Sequence, residues 1–432
     1  MRDALIITSI VTRKIWRCES LSLLFVSPDE RRQNGFTVYD RTEIAMDKIN
    51  VQTKLRNDSC TGCGLCTVTC PTGAIKLVLD KMLSTVRAVD DNKCISCNKC
   101  VRLCPQITYS ELNTPVACYA SFPILEQRKT IYSSGGAASL IAMKFMQTHK
   151  GVVCGCTWDR ENRRAKHVII TQIDQLERLC GSKYVQSDMS GIYEDIKRYI
   201  DCKICVLFIG TPCQADAILK YCNSEYLYTV DLICHGTPPA SYLSAYVKTL
   251  PRYNEISEIR FRGEHDFWFT AKNDRNDEIY CAYKDCDPYF YAFLKGTIYR
   301  ENCYKCKYAQ LNRVADITLG DFWGIERNNL EYSGKISLIL INTIKGEKVV
   351  NESGDMMIIE ERKLEEAIRG NLQLSAPMKR TAEHLAFTKM LEVDGDFIHA
   401  FKRNTIYKEA MRNKRNMSFA MRKHRLKKFL EN

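Results

Sequence analysis

From Ala117 to Asn342 short apolar runs alternate with amphipathic stretches. Ala117–Phe122, Gly151–Trp158, His167–Thr171, Ile204–Ile209 and Leu227–Ile233 read as strands. Ile204–Ile209 is apolar without a break, the pattern of a strand buried on both faces. Between them Ser134–Thr148, Ser190–Ile200, Cys213–Cys222 and Ser241–Leu250 read as helices. Further strands are expected at Ile256–Arg262, Phe267–Ala271, Ile279–Tyr283, Ile317–Gly320 and Ile336–Asn342. This succession predicts an α/β body with mixed strand directions. Beyond Glu360 the chain is expected to be helical and increasingly basic.

Ahead of the body lies an internal repeat, the kind of signal that is weighed before any local one. Cys60, Cys63, Cys66, Cys70 and Pro71 recur as Cys94, Cys97, Cys100, Cys104 and Pro105. Ala74–Leu79 and Thr85–Val89 alternate like short strands between the halves. Each half is read as strand, cysteine loop, short helix, strand. Residues 107–116 form a polar linker. Residues 1–45 carry no motif and are read as a disordered extension or a mis-assigned start, with Met46 opening the lead-in to the first cysteine. The division is therefore 1–45; 46–112, a two-cluster 4Fe–4S ferredoxin domain; 113–345, the body; and 346–432, a helical, basic C-terminal region.

The run Cys-x2-Cys-x2-Cys-x3-Cys-Pro occurs twice without a mismatch, which is the signature of bacterial two-cluster ferredoxins. Two-residue gaps let a tight loop set three sulfurs against one face of a cubane. The fourth cysteine is expected to start a helix that leads away to the other cluster. Cys60, Cys63, Cys66 and Cys104 are thus assigned to one cluster, and Cys94, Cys97, Cys100 and Cys70 to the other. Zinc would use paired CxxC knuckles and has no need of a third cysteine in each run. Gly62, Gly64 and Gly73 relieve crowding where backbone N–H groups approach the cluster.

Composition supports reduced thiols. The chain has 432 residues, 22 of them cysteine, with ordinary hydrophobic and charged fractions of 45% and 26%. It can bury sizeable cores without disulfides. Leu5–Val11 is apolar, but Arg13, Lys14 and Arg17 stand where a leader's cleavage site belongs. There is no apolar run of about 18 residues, so no membrane span is expected. A cytoplasmic, anaerobic setting follows from the chemistry of exposed clusters. The formal charge of +12 is almost all in one place. Lys402–Lys428 holds a dense series of cations interleaved with Phe, Tyr, Met and Leu, against the single acid Glu409. Three readings stand for that tail: an anionic membrane surface, an acidic partner, or a solvated end. Nucleic acid is not expected, since no recognition module accompanies it.

Four body cysteines stand in informative places. Cys213 follows the buried strand and opens a helix, where thiolate is favoured. Cys234 lies at the end of the next strand, where α/β sheets place their chemistry. Cys303 and Cys306 form a CxxC. The segments Gly210-Thr211-Pro212-Cys213-Gln214, Asp231-Leu232-Ile233-Cys234-His235-Gly236, Cys303-Tyr304-Lys305-Cys306 and Ala315–Gly324 resemble the coenzyme F-420 hydrogenase and dehydrogenase beta-subunit family. Tyr132–Ser139 and Gly181–Ser187 support the resemblance, which spans roughly 117–345. It implies a protein that holds FAD beside a 4Fe–4S cluster and passes electrons between a hydride carrier and a chain of clusters. By motif, Cys213, Cys234, Cys303 and Cys306 are candidates for a third cluster. Buried small thiols at 213 and 234, with a zinc half-site or redox pair at 303 and 306, remain the alternative. The other ten cysteines lack ligand spacing.

Ser134, Gly135 and Gly136 at a helix start suit a phosphate or a flavin edge; a plain glycine-rich cap is the alternative. Lys183 is a charge partner for phosphate or flavin, or a solvated lysine. Thr211 is placed to hydrogen-bond the flavin. No GxGxxG sits in strand–helix context, so a nicotinamide site is not supported. His235 is an acid/base candidate or a backbone hydrogen-bonder. The fold class read here is an α+β ferredoxin-like two-cluster domain followed by an α/β mixed-sheet flavoprotein domain. The function read is an iron–sulfur flavoprotein oxidoreductase with a redox partner protein or a hydride-carrying coenzyme. A redox accessory enzyme of surface-polysaccharide synthesis and a non-enzymatic electron-transfer subunit are the alternatives.

Overall fold

The apolar runs of the body pair side by side in a computed structural model that describes residues 48–124, 132–262, 267–326 and 332–430, with side chains up to Ser418. The extension 1–45, Cys18 and the last aromatic and cationic side chains of the tail lie outside the described residues.

The cysteine repeat contains one hairpin, β1 (Ile75–Leu79) paired antiparallel with β2 (Thr85–Val89). The sequence predicts a strand at both ends of each half; only these two form. The lead-in instead makes a short helix, Val51–Lys54, because Asn50 Oδ1 accepts the free N–H groups of Gln52 and Thr53 at its start. The cysteine loops carry helices at Leu65–Thr69 and Lys99–Arg102. Here too the structure departs from expectation. The third cysteine lies within each helix, and the fourth lies past its end instead of opening it. The repeat extends to the backbone. Gly62 and Gly64 have φ of 64° and 83°, and their repeat partners Ser96 and Asn98 have φ of 54° and 59°. The second half thus adopts left-handed turns without glycine, at a small cost that the loop geometry enforces.

The body is built on an eight-stranded sheet. Its strands are β3 (Ala117–Pro123), β4 (Val152–Asp159), β5 (Arg164–Ile170), β6 (Val206–Gly210) and β7 (Leu227–Leu232), followed later in the chain by three more. A separate antiparallel meander intervenes: β8 (Glu258–Arg260), β9 (Trp268–Lys272) and β10 (Glu278–Tyr283). The main sheet resumes with β11 (Ile317–Asp321), β12 (Ser337–Ile341) and β13 (Met357–Glu361), in the order β13-β3-β12-β11-β7-β6-β4-β5. Strands β11, β7, β6 and β4 are parallel, with antiparallel partners on both flanks. Strand β13 lies where the sequence pattern turns toward helix. Both faces of the parallel strands are covered, as the unbroken apolar runs require.

A second core joins the meander to the C-terminal helices Ala382–Asp394, Phe397–Arg403 and Thr405–Leu430. It is rich in aromatic side chains, among them Tyr242, Tyr246, Phe269, Tyr289, Phe290, Phe387, Phe397 and Phe401. The basic region is therefore anchored: Phe401, Ile406 and Ala410 are buried, while Lys402, Arg403, Lys408 and Arg412 face out. Among the described residues no helix is long and apolar enough to cross a membrane.

Candidate functional site

The structure groups the module's cysteines three plus one. Cys66 feels the charges of Cys63, Cys60 and Cys104, and Cys104 those of Cys63 and Cys60. Cys70, Cys94, Cys97 and Cys100 line a second small cavity. The fourth cysteine of each run thus sits with the other run's first three. It gets there because the chain leaves the first short helix in extended conformation; Cys70, which ends it, has ψ of 114°. Burial pushes the Cys104 thiol up to about 11, so on their own these groups hold neutral thiols, and thiolates need cationic iron beside them.

In the body, Cys213 lies in the first turn of the helix Pro212–Cys222. Pro212 opens that helix at the position where its missing N–H costs nothing, and Gln214 closes a capping box with Thr211. Cys234 follows β7 and lies near the carboxyl ends of the parallel strands. Cys303 and Cys306 come from the tight turn Glu301–Lys305 and its end. All four line one cavity. Cys213 feels Cys306, Cys234 and Cys303 in turn, and burial pushes the Cys234 thiol up to about 12 and Cys306 to about 11. Among the described residues no three His, Cys, Asp or Glu side chains converge on a point that a single metal ion would occupy. Zinc would draw its sulfurs to about 2.3 Å from one centre. A cubane spreads its iron corners, so an all-cysteine set around a cavity fits a cluster better than a lone ion.

The module is docked on this cavity. Cys63 and Gly62 line it together with the body cysteines. Tyr193 Oη donates to Cys63 O at 2.8 Å, and Gln186 Nε2 donates to Thr61 O at 3.1 Å. A β-carbon on Gly62 would stand 2.5 Å from Thr85 O and 2.8 Å from Gln186 Nε2, so this loop needs glycine for close approach as well as for its turn. Further out, buried Asp216 ties the linker to the body. It accepts from Ser110 Oγ and Tyr308 Oη, each at 2.5 Å. Tyr308 and Tyr193 each lie within the fields of both Cys63 and Cys213. The inner cysteine group of the module and the body group are therefore neighbours.

The flavin candidates are more scattered. Ser134 Oγ donates to Ile336 O at 3.0 Å. A β-carbon on Gly135 would stand 2.4 Å from Ser121 O, and one on Gly136 would stand 2.5 Å from the Tyr132 ring. Both glycines face the protein's own packing. Lys183 is buried, donating to Leu179 O at 2.9 Å and Cys180 O at 2.8 Å. It caps the turn Ile173–Leu179 and lines a cleft of about 530 Å³ with Gly181, Ser182 and Arg260. Ser182 N donates to Ser133 Oγ at 2.8 Å, which brings the two candidate segments together. Thr211 and His235 line the body cysteine cavity. Gln186, Arg300 and Tyr308, which join module to body, escape a reading of the sequence. Their role is set by what lies opposite them in space, and nothing local marks them.

Comparison with known proteins adds two family matches. Residues 204–367 match the C terminus of the coenzyme F-420 hydrogenase/dehydrogenase beta subunit. Residues 56–107 match the 4Fe-4S dicluster domain. No curated protein matches the chain. Among solved structures, a chain of the F-420-reducing NiFe hydrogenase complex from Methanosarcina barkeri is similar at 15% identity and a TM-score of 0.41, over 61% of this chain and 91% of that one. The chain belongs to the coenzyme F-420 hydrogenase/dehydrogenase beta-subunit family and carries a ferredoxin-type domain in front of the family's C-terminal part.

Proposed function

We propose that this iron–sulfur electron-transfer protein is a flavin-dependent oxidoreductase. In this reading the eight module cysteines hold two 4Fe–4S clusters, Cys213, Cys234, Cys303 and Cys306 hold a third, and FAD sits beside that third cluster. The observation that carries the reading is the juxtaposition of the two cysteine groups across Tyr193 and Tyr308. It gives a continuous row: body group, inner module group, outer module group. Bound clusters supply one-electron steps, and bound FAD exchanges hydride in a two-electron step.

The chain's own residues hold the row in register and shield its inner part. Tyr193, Gln186 and Asp216 fix the module against the body. The outer group opens to solvent, with Cys97 exposed and Ile95 and Ile49 presenting apolar surface beside it. That is a fitting exit to a partner protein. For the flavin, the cleft beside Lys183 has the size of a small-molecule site and a basic lining. We assign the protein to a reduced, cytoplasmic setting, with a deazaflavin-type or other hydride carrier at the flavin.

A flavin-free role in electron transfer is a second reading. It is favoured by Gly135 and Gly136, whose open sides are filled by protein. Oxygen-free purification and reconstitution decides between them. Stoichiometric FAD with about twelve irons supports the enzyme, whereas about eight irons and no flavin supports the carrier. Reduced deazaflavin, NAD(P)H and reduced ferredoxin offered in turn as donors then identify the substrate class.

A further inference from the structure

Buried arginines in this protein fall into two groups. Arg262 and Arg313, with side chains 3% and 2% exposed, each hold a carboxylate, Asp321 at 2.6 Å and Asp231 at 2.8 Å. Arg87 and Arg300 are equally buried, at 2% and 3%, and no acidic side chain among the described residues lies at ion-pairing distance from either. Both belong to the cysteine module or its contact with the body. A guanidinium cannot shed its proton to escape this position. A buried cation without an anion is heavily disfavoured.

Arg300 is the more telling of the two, because it touches both inner cysteine groups. Its Nη2 donates to Cys60 O at 2.9 Å and to Thr85 O at 2.8 Å, its Nη1 to Gln186 Oε1, and its Nε to Asn302 Oδ1 at 3.1 Å. Every one of these acceptors is neutral. Its side chain also lines the cavity formed by Cys213, Cys234, Cys303 and Cys306. The missing anions are therefore expected where the thiolates gather. A cubane with four thiolates is a net anion in either oxidation state, and more so once reduced.

We propose that Arg300 is the fixed counter-charge of the two inner clusters and raises the reduction potential of both. The proposal rests on the reading that the body cysteines hold a cluster. The step concerned is one electron added to a cluster, with no bond made or broken. The electron's charge is stabilised by a cation that is already in place and does not reorganise.

The test uses the reconstituted full chain, with iron counted first and potentials then read by spectroscopically monitored reductive titration. In Arg300→Gln, both inner clusters are expected to titrate at lower potential. The reduced-to-oxidised ratio at a fixed potential should fall at least tenfold, which is about 59 mV for one electron. The outer cluster should not move. Arg300→Lys keeps the charge while losing the fork of hydrogen bonds, and should recover most of the shift. If Arg300→Gln retains its iron and titrates as the parent does, or if Arg300→Lys shifts as far as Arg300→Gln, the residue is a clamp and the proposal fails. Should Arg300→Gln lose iron, Arg300→Lys alone decides on the same criterion. A parent protein with only about eight irons would overturn the third-cluster reading instead, and the inner module cluster would still judge Arg300.

Discussion

In the ferredoxin-type module the candidate ligands come from two short loops, Cys60–Cys70 and Cys94–Cys104. In the body they come from a helix start, a strand end and a tight turn that are far apart in the chain. The buried core of the module is small: Val51, Ile75, Cys100 and Cys104, with a few partly covered neighbours. Two of those four are themselves ligand candidates. The body site rests on a sheet whose parallel strands are covered on both faces by extensive apolar cores. The difference teaches that one site has to be assembled by what it binds, whereas the other is held ready by a fold that does not need it.

The strongest way to break this contrast is to remove the iron. Chelation under reducing conditions should unfold most of residues 48–110 while the body stays folded, because ligation and folding are one event in the module. Amide hydrogen exchange reads both parts at once. Protection in β1 and β2 is expected to vanish, and protection in β6 and β7 to persist. A module that stayed protected without iron would erase the distinction.

Single ligand removals sharpen it. Cys66→Ala should cost the inner module cluster and loosen the whole module. Cys234→Ala should lower iron from about twelve to about eight atoms per chain while destabilising the body by only about 1 kcal/mol, the usual scale for a side-chain truncation that opens no large cavity. Iron analysis paired with thermal unfolding checks both. Equal losses of stability in the two variants would show that the body site, too, depends on its contents.

What is legible in the sequence follows the same divide. The module's ligands can be read because their spacing is local and repeated. Cys213 and Cys234 can be read because they follow buried apolar strands. The aromatic second core cannot. Its helix Pro288–Leu294 is Pro-Tyr-Phe-Tyr-Ala-Phe-Leu, apolar on every side, so it offers no periodicity to place it. The tail's anchor is hidden for a different reason. Phe397 and Phe401, then Ile406 and Ala410, each lie four residues apart on a helix face, but the cations between them dominate the composition. Arg300 and Gln186 are illegible in principle, since their acceptors belong to another region of the chain.

If packing rather than metal stabilises the body, its pH dependence should trace to its own buried groups. Asp287 is one. It caps the helix Pro288–Leu294 by accepting from Phe290 N at 2.7 Å, and it accepts from Tyr246 Oη at 2.6 Å and Tyr280 Oη at 3.1 Å. Burial outweighs these hydrogen bonds and pushes its carboxyl up from 3.8 to about 6. The folded state therefore binds the proton more tightly than the unfolded chain. Stability from this group is present below pH 3.8 and is lost as pH rises through about 6. The difference is on the order of 3 kcal/mol. Denaturant unfolding of the iron-free protein should show the body strengthening as pH falls from 6 to 4 relative to Asp287→Asn, which keeps the cap. Parallel pH profiles in the two proteins would remove Asp287 from the account.

The smallest expected effect concerns how the ready-made body site is tuned. His167 is buried and stacked on Phe208, and burial brings its ring down to about 4, so it is neutral near pH 7. Its Nε2 faces Ile209 O at 3.3 Å, an atom that only accepts, so Nε2 carries the proton. Nδ1 must then accept from Ser187 Oγ at 3.1 Å. Ser187 Oγ in turn accepts from Gln214 Nε2 at 2.9 Å, which turns Gln214 Oε1 toward Thr211 N at 3.1 Å. With that oxygen already served, the Thr211 hydroxyl proton is free to point at Cys213 Sγ, 3.2 Å away. A donor to a ligand sulfur stabilises the reduced cluster. Thr211→Val removes it at nearly constant shape. If the bond strengthens by roughly 0.5–1 kcal/mol on reduction, the potential of the body cluster should drop by about 20–40 mV for one electron, less than for Arg300→Gln. The module clusters should not move. A shift shared by all clusters would mean that Thr211 acts through the docking of the module and not through the sulfur it faces.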